Sequence, residues 1–66
     1  MTFKEVKKKV EEYYLDSMPD NDPHDIESIR EEMANVKNYR DLTNLLDGYG
    51  FSPYEAGEFI FDAITS

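Results

Sequence analysis

Sixty-six residues carry 15 acidic and 7 basic side chains, one histidine, no cysteine and no tryptophan, for a formal net charge of −8. A chain this short buries only ~60% of its surface on folding, so a single domain over 1–66 is the expected maximum. Lacking cysteine, it forms no disulfide, no cysteine-type zinc site and no thiol nucleophile, and its acidic balance opposes direct contact with DNA, RNA or anionic lipid.

No apolar run approaches the ~18 residues of a membrane span. Met1 is followed by Thr-Phe-Lys, not by a signal-peptide core. A compact chain without a covalent staple fits the cytoplasm better than the outside of the cell.

In chain order, the first predicted helix covers about 2–15. Thr2 and Glu5 read as a capping box, and Phe3, Val6, Val10 and Tyr13 or Tyr14 recur at helical spacing. Lys4, Lys7, Lys8 and Lys9 project elsewhere, interleaved with Glu5, Glu11 and Glu12 in i,i+4 pairs worth ~0.2–0.5 kcal/mol each. This lysine run reads as a solvated face already neutralised by its own glutamates.

Asp16–Pro23 is rich in proline and turn formers and predicts a loop. A second helix is expected over 23–36, capped by Asp22 with Pro23 at its first position. Ile26, Ile29, Met33 and Val36 form its apolar face, and Asp25, Glu27, Glu31 and Glu32 spread over the other. A third helix over 39–48 is capped by Asn38, shows Tyr39, Leu42, Leu45 and Leu46 to the core, and ends at Gly48 and Gly50. Ser52-Pro53-Tyr54-Glu55 is the strongest local signal: serine caps, proline opens the helix and glutamate completes the box. That fourth helix is expected over 52–64. No strand pattern competes, so the fold class is all-α, a small compact four-helix orthogonal bundle with short connections.

The fourth helix has two apolar sides. Ala56, Phe59, Ile60 and Ala63 cluster on one. Tyr54, Gly57, Phe61 and Ile64 cluster nearly opposite, with Glu55, Glu58 and Asp62 in the remaining space. Such a helix is either the buried centre of the bundle or shared with a partner. In the second case Tyr54, Phe61 and Ile64 form a patch for another protein or for a homodimer.

Charge is segregated along the chain. Residues 1–15 carry four lysines and three glutamates, residues 16–35 carry seven acids against Arg30, and no lysine or arginine follows Arg40. Asp20, Asp22, Asp25, Glu27, Glu31 and Glu32 therefore concentrate negative charge on the first loop and second helix. Carboxylates one helical turn apart lie ~6 Å from each other, comparable to neighbouring phosphates on one nucleic-acid strand. Such a surface attracts a basic groove. The plainer role for the same charge is solubility.

Catalysis is not expected. His24 sits in an expected first helical turn beside Pro23 and Asp25, no nucleophile-elbow glycines accompany Ser17, Ser28 or Ser52, and a bundle this small has little room for a substrate cleft. Asp20, Asp22 and Glu31 occupy positions one, three and twelve of a calcium loop. Position five is then His24, position six is Asp25 where such loops need glycine, position eight is Glu27, and Pro23 interrupts the run. Capping by Asp22 explains the same residues, so neither a metal nor a cofactor is expected.

Leu45-Leu46-Asp47-Gly48-Tyr49-Gly50-Phe51, followed by Glu55-Ala56, resembles the leucine, glycine-phenylalanine and glutamate-alanine pattern of ubiquitin-associated domains. That resemblance implies ubiquitin binding through the Gly50-Phe51 loop. The family needs two further helices after this loop, and the fifteen or so residues remaining hold about one. A glycine-ended helix, a phenylalanine staple and a capped helix produce the same letters, and the chain is not assigned to the family.

Two functional expectations follow. The first is a small acidic, non-enzymatic protein-binding module: an inhibitor or antagonist that occupies a basic nucleic-acid-binding surface of a larger protein. Phage or mobile-element anti-defence proteins and immunity proteins share this size and charge, an analogy of class alone. The second is a structural or adaptor module, a homodimer included, working through Tyr54, Phe61 and Ile64, with the acids serving solubility.

Overall fold

The computed structural model describes residues 1–17 and 22–65. Four helices follow one another: α1 (Phe3–Ser17), α2 (Pro23–Ala34), α3 (Tyr39–Gly48) and α4 (Pro53–Thr65). There is no strand among the described residues, and the fold is the expected all-α four-helix class. α1 packs against α2 and α4, and α3 packs against the same two. α2 and α4 therefore lie across the diagonal of the bundle. The molecule measures 28 × 22 × 20 Å.

Each helix starts where a side chain can satisfy its free N–H groups. The Thr2 hydroxyl accepts from the Glu5 N–H at 3.3 Å. An Asp22 carboxylate oxygen accepts from the His24 N–H at 3.0 Å, with Pro23 in the first turn. The Asn38 side chain accepts from the Asp41 N–H at 2.8 Å, while the Asp41 carboxylate reaches past it to the Lys37 N–H at 3.3 Å. At α4 the box closes both ways: Ser52 Oγ accepts from the Glu55 N–H and Glu55 Oε1 from the Ser52 N–H, each at 3.3 Å.

The ends of α1 and α2 each fall two residues from expectation, for a local reason. α1 runs on to Ser17, whose hydroxyl donates to the Tyr14 carbonyl at 2.8 Å. α2 stops at Ala34, short of Val36. The Asn35 N–H turns back to the Glu32 and Met33 carbonyls, and the Val36 N–H follows to Met33 at 3.1 Å. That tightened turn swings the Val36 side chain inward, where it is buried. α2 also has no basic residue in its own last turn. Lys7 of α1 supplies the cation, donating from Nζ to the Val36 carbonyl at 3.1 Å, where a helix end favours positive charge.

α3 ends at Gly48 as expected, while Gly50 alone reverses the chain, with φ +103°. The Gly50 N–H donates to the Asp47 carbonyl and the Phe51 N–H to the Leu46 carbonyl, each at 3.0 Å. This is the paired bonding of a Schellman ending. The Gly50-Phe51 pair thus has a local stereochemical role in ending α3.

The core is wholly apolar: Val6 and Val10 from α1, Ile29 and Met33 from α2 with Val36 after it, Leu42 and Leu46 from α3, and Ala56, Ile60 and Ala63 from α4. No polar or charged residue is buried among the described residues. Tyr39, expected on the apolar face of α3, is 50% exposed and meets Phe3 edge-on, with ring centroids 4.8 Å apart. At the first position of its helix it lies beyond the layer that Leu42 and Leu46 fill.

A Cβ built on Gly50 meets nothing within 4 Å, so its side-chain void is not what the fold needs. The need is the backbone conformation alone. Gly50→Ala is expected to lower stability by about 1–2 kcal/mol. Urea denaturation followed by circular dichroism measures it, and an unchanged midpoint would show that the turn tolerates an ordinary residue.

Candidate protein-binding surfaces

The acidic surface is built on α2. Ile29 and Met33 are buried in the bundle and Ile26 is half-buried, which sends Glu27 and Glu31 to the opposite side of the helix, one turn apart. Asp25 and Glu32 form a second row nearer the core. Asp22, Asp25, Glu27, Glu31 and Glu32 are all exposed, whereas Asp20 lies outside the described residues. Arg30 is the one arginine or lysine on the helix. His24 is exposed beside them. No group of three or more histidine, aspartate or glutamate side chains among the described residues is placed to hold a metal ion.

Two of these acids also serve the fold. Asp22 caps α2, and Glu32 accepts a hydrogen bond from the Tyr49 hydroxyl at 3.0 Å. Tyr49 belongs to an aromatic cluster that the sequence reading did not assemble. Tyr49 stacks on Tyr14 with centroids 4.9 Å apart and planes 13° from parallel. Phe59 meets Tyr13 at 5.0 Å and Phe51 at 4.9 Å, geometries that aromatic quadrupoles favour. The available signal was the pair of rings flanking Gly50 together with the Tyr13-Tyr14 doublet.

Burial in this cluster is the first cause that pushes the Tyr49 phenol well above its ordinary range. The hydrogen bond to Glu32, which needs the phenolic proton, is the second, and the negative charge of Glu32 is the third.

The second surface is the outer side of α4. Tyr54 and Phe61 are 75% and 65% exposed, so α4 is not the buried centre of the bundle. Ile64, expected beside them, is half-buried and packs on the core. It does not line the groove that the other two form. Pro53, Tyr54, Gly57, Glu58, Phe61 and Asp62 line an open groove of about 690 Å³. Its axis is helical: Tyr54, Gly57 and Phe61 follow one another at i, i+3 and i+7. The acidic α2 surface and this groove sit on diagonal helices.

No helix among the described residues is long and apolar enough to cross a membrane. No protein-family model, no curated protein and no solved structure matches this chain. Fold and surface define a small all-α protein with one acidic outer helix and one aromatic outer helix.

The Tyr49–Glu32 contact makes a pH prediction. A phenol whose pKa rises on folding stabilises the fold while it keeps its proton. That contribution is complete below about pH 10, the ordinary tyrosine value, and is lost as pH climbs toward the folded-state pKa. In an NMR titration of the tyrosine rings, Tyr49 should ionise above pH ~10. Glu32→Gln should bring it partway down, because burial persists while the charge is gone. An unmoved Tyr49 titration would remove Glu32 from the explanation.

Proposed function

We propose that this chain is a small acidic module that binds another protein, acting by occupancy and not by catalysis, and that it antagonises a partner by covering its basic, nucleic-acid-binding surface. Asp25, Glu27 and Glu31 act as phosphate surrogates, joined by Asp22 and Glu32 at the edges; Asp20, which precedes them in sequence, adds a further negative charge. The observation that carries the reading is the outward display of these carboxylates on one short helix, with Arg30 as its single fixed countercharge. Field from such a cluster raises the encounter rate with a basic groove and falls with added salt. The size and charge are those of cytoplasmic anti-defence or immunity proteins, which is an analogy of class.

A second reading has its own observation. The exposure of Tyr54 and Phe61 supports an adaptor that works through α4, with the acids keeping it soluble.

The first reading is tested on partners captured from a lysate of the natural host. A genuine target should lose its grip by at least tenfold between low salt and ~0.5 M salt, and added duplex or single-stranded nucleic acid should displace it. Glu27→Lys combined with Glu31→Lys should abolish capture while the helical spectrum stays unchanged. Capture that ignores salt, nucleic acid and both reversals would contradict the proposal.

A further inference from the structure

Gly57 is the residue that the fold does not explain. It lies in the middle of α4, it is exposed, and a Cβ built on it meets nothing within 4 Å. No neighbouring helix needs its missing side chain. Its backbone is helical, so no special conformation needs it either. Yet glycine inside a helix costs about 0.5–1 kcal/mol relative to alanine. The same stretch leaves Tyr54 and Phe61 in water, one turn to either side. A bare helix backbone between two exposed rings is the floor of a groove, and its walls are rings that bury large area with little rotamer loss.

The edge of the groove identifies its occupant. At 100° per residue, Pro53, Gly57, Phe61 and Tyr54 form a continuous apolar strip, and Glu58, Asp62 and Glu55 run along one side of it. α4 has no lysine or arginine, and none occurs after Arg40. A second copy laid antiparallel across a two-fold axis would bring this acidic edge against its own image, a like-charge contact that costs affinity, on top of the repulsion between two chains of net charge −8. A helix with an apolar stripe and a basic edge has the opposite character. Its side chains fill the space over Gly57, and its arginines or lysines reach the carboxylates and the faces of Tyr54 and Phe61.

We infer that the outer face of α4 is a docking groove for a basic amphipathic helix of a partner protein, seated over Gly57 between Tyr54 and Phe61 with its cations along Glu55, Glu58 and Asp62. The site is independent of the acidic surface of α2, and each can fail without the other.

The probe is a synthetic amidated helix of roughly five turns, ~18 residues, made of leucine, alanine and arginine with leucine at i, i+3, i+4 and i+7. A scrambled peptide of the same composition is the control. Backbone amide NMR shifts of the labelled protein are followed during titration at near-physiological salt. The amphipathic peptide should perturb Tyr54, Gly57, Glu58, Phe61 and Asp62, and the scrambled one should bind at least tenfold more weakly. Phe61→Ser, and separately Gly57→Leu, should weaken binding about tenfold or more with unchanged circular dichroism.

Three outcomes overturn the inference. In the first, both peptides bind alike and move Asp25, Glu27 and Glu31, which leaves the α2 reading standing and shows charge attraction only. In the second, shifts at Phe61 depend on protein concentration without peptide, which assigns the face to a second copy. In the third, α4 shows no response. If Phe61→Ser unfolds the chain, Gly57→Leu decides alone, since its added side chain has open space in the free protein.

Discussion

Gly50 takes a backbone conformation that an L side chain rarely adopts, and most of the tertiary arrangement follows from it. With φ at +103° the chain folds back on α3, and Phe51 closes on the Leu46 carbonyl. The reversal puts Tyr49 and Phe51 on either side of the turn. Tyr49 then stacks on Tyr14 of α1 and donates to Glu32 of α2, while Phe51 meets Phe59 of α4. One turn thus touches all three of the other helices. It also sets the rotation of α4, so that Ala56, Ile60 and Ala63 enter the core.

That rotation has a consequence for the outside. A helix has about 100° of apolar stripe to spend on a core, and α4 carries more. Once Ala56, Ile60 and Ala63 are inward, Tyr54, Gly57 and Phe61 must face solvent. The same logic holds on α2, where burying Ile29 and Met33 sends Glu27 and Glu31 outward. Neither outer face contributes a buried group to the interior, which is entirely apolar among the described residues. Fold and surface are therefore largely separable, with three exceptions. Asp22 and Glu32 each belong to the acidic surface and also hold a cap or a tyrosine in place, and Glu55 on the edge of the α4 face also completes the cap of its own helix.

The helices were legible because their signals are local. Thr2, Asp22, Asn38 and Ser52 each cap the helix that they announce, since capping depends on a few consecutive residues. The inward residues were legible from spacing, because period and burial are tied by helix geometry. What the sequence did not disclose was set by contacts between distant residues. Tyr14, Tyr49 and Phe59 meet only after the chain reverses at Gly50, and Lys7 finds the end of α2 across 29 positions. Periodicity placed Tyr54, Phe61 and Ile64 together on α4 but could not tell core from surface. Only the helix neighbours show Ile64 turning to the core while Tyr54 and Phe61 remain outside. Likewise Gly48 and Gly50 are equivalent as letters, and the hydrogen bonds of the turn distinguish them.

Gly57 bears most directly on the separation between fold and outer surface. If the free protein has no use for the missing side chain, supplying one should help it. Thermal unfolding of the Gly57→Ala chain alone, without any partner, is the decisive measurement. A gain of about 0.5–1 kcal/mol corresponds, for a domain of this size, to a rise in Tm of roughly 2–8 °C. A Tm that falls would show that the glycine is required by the fold itself and that the outer face of α4 is not surplus to it.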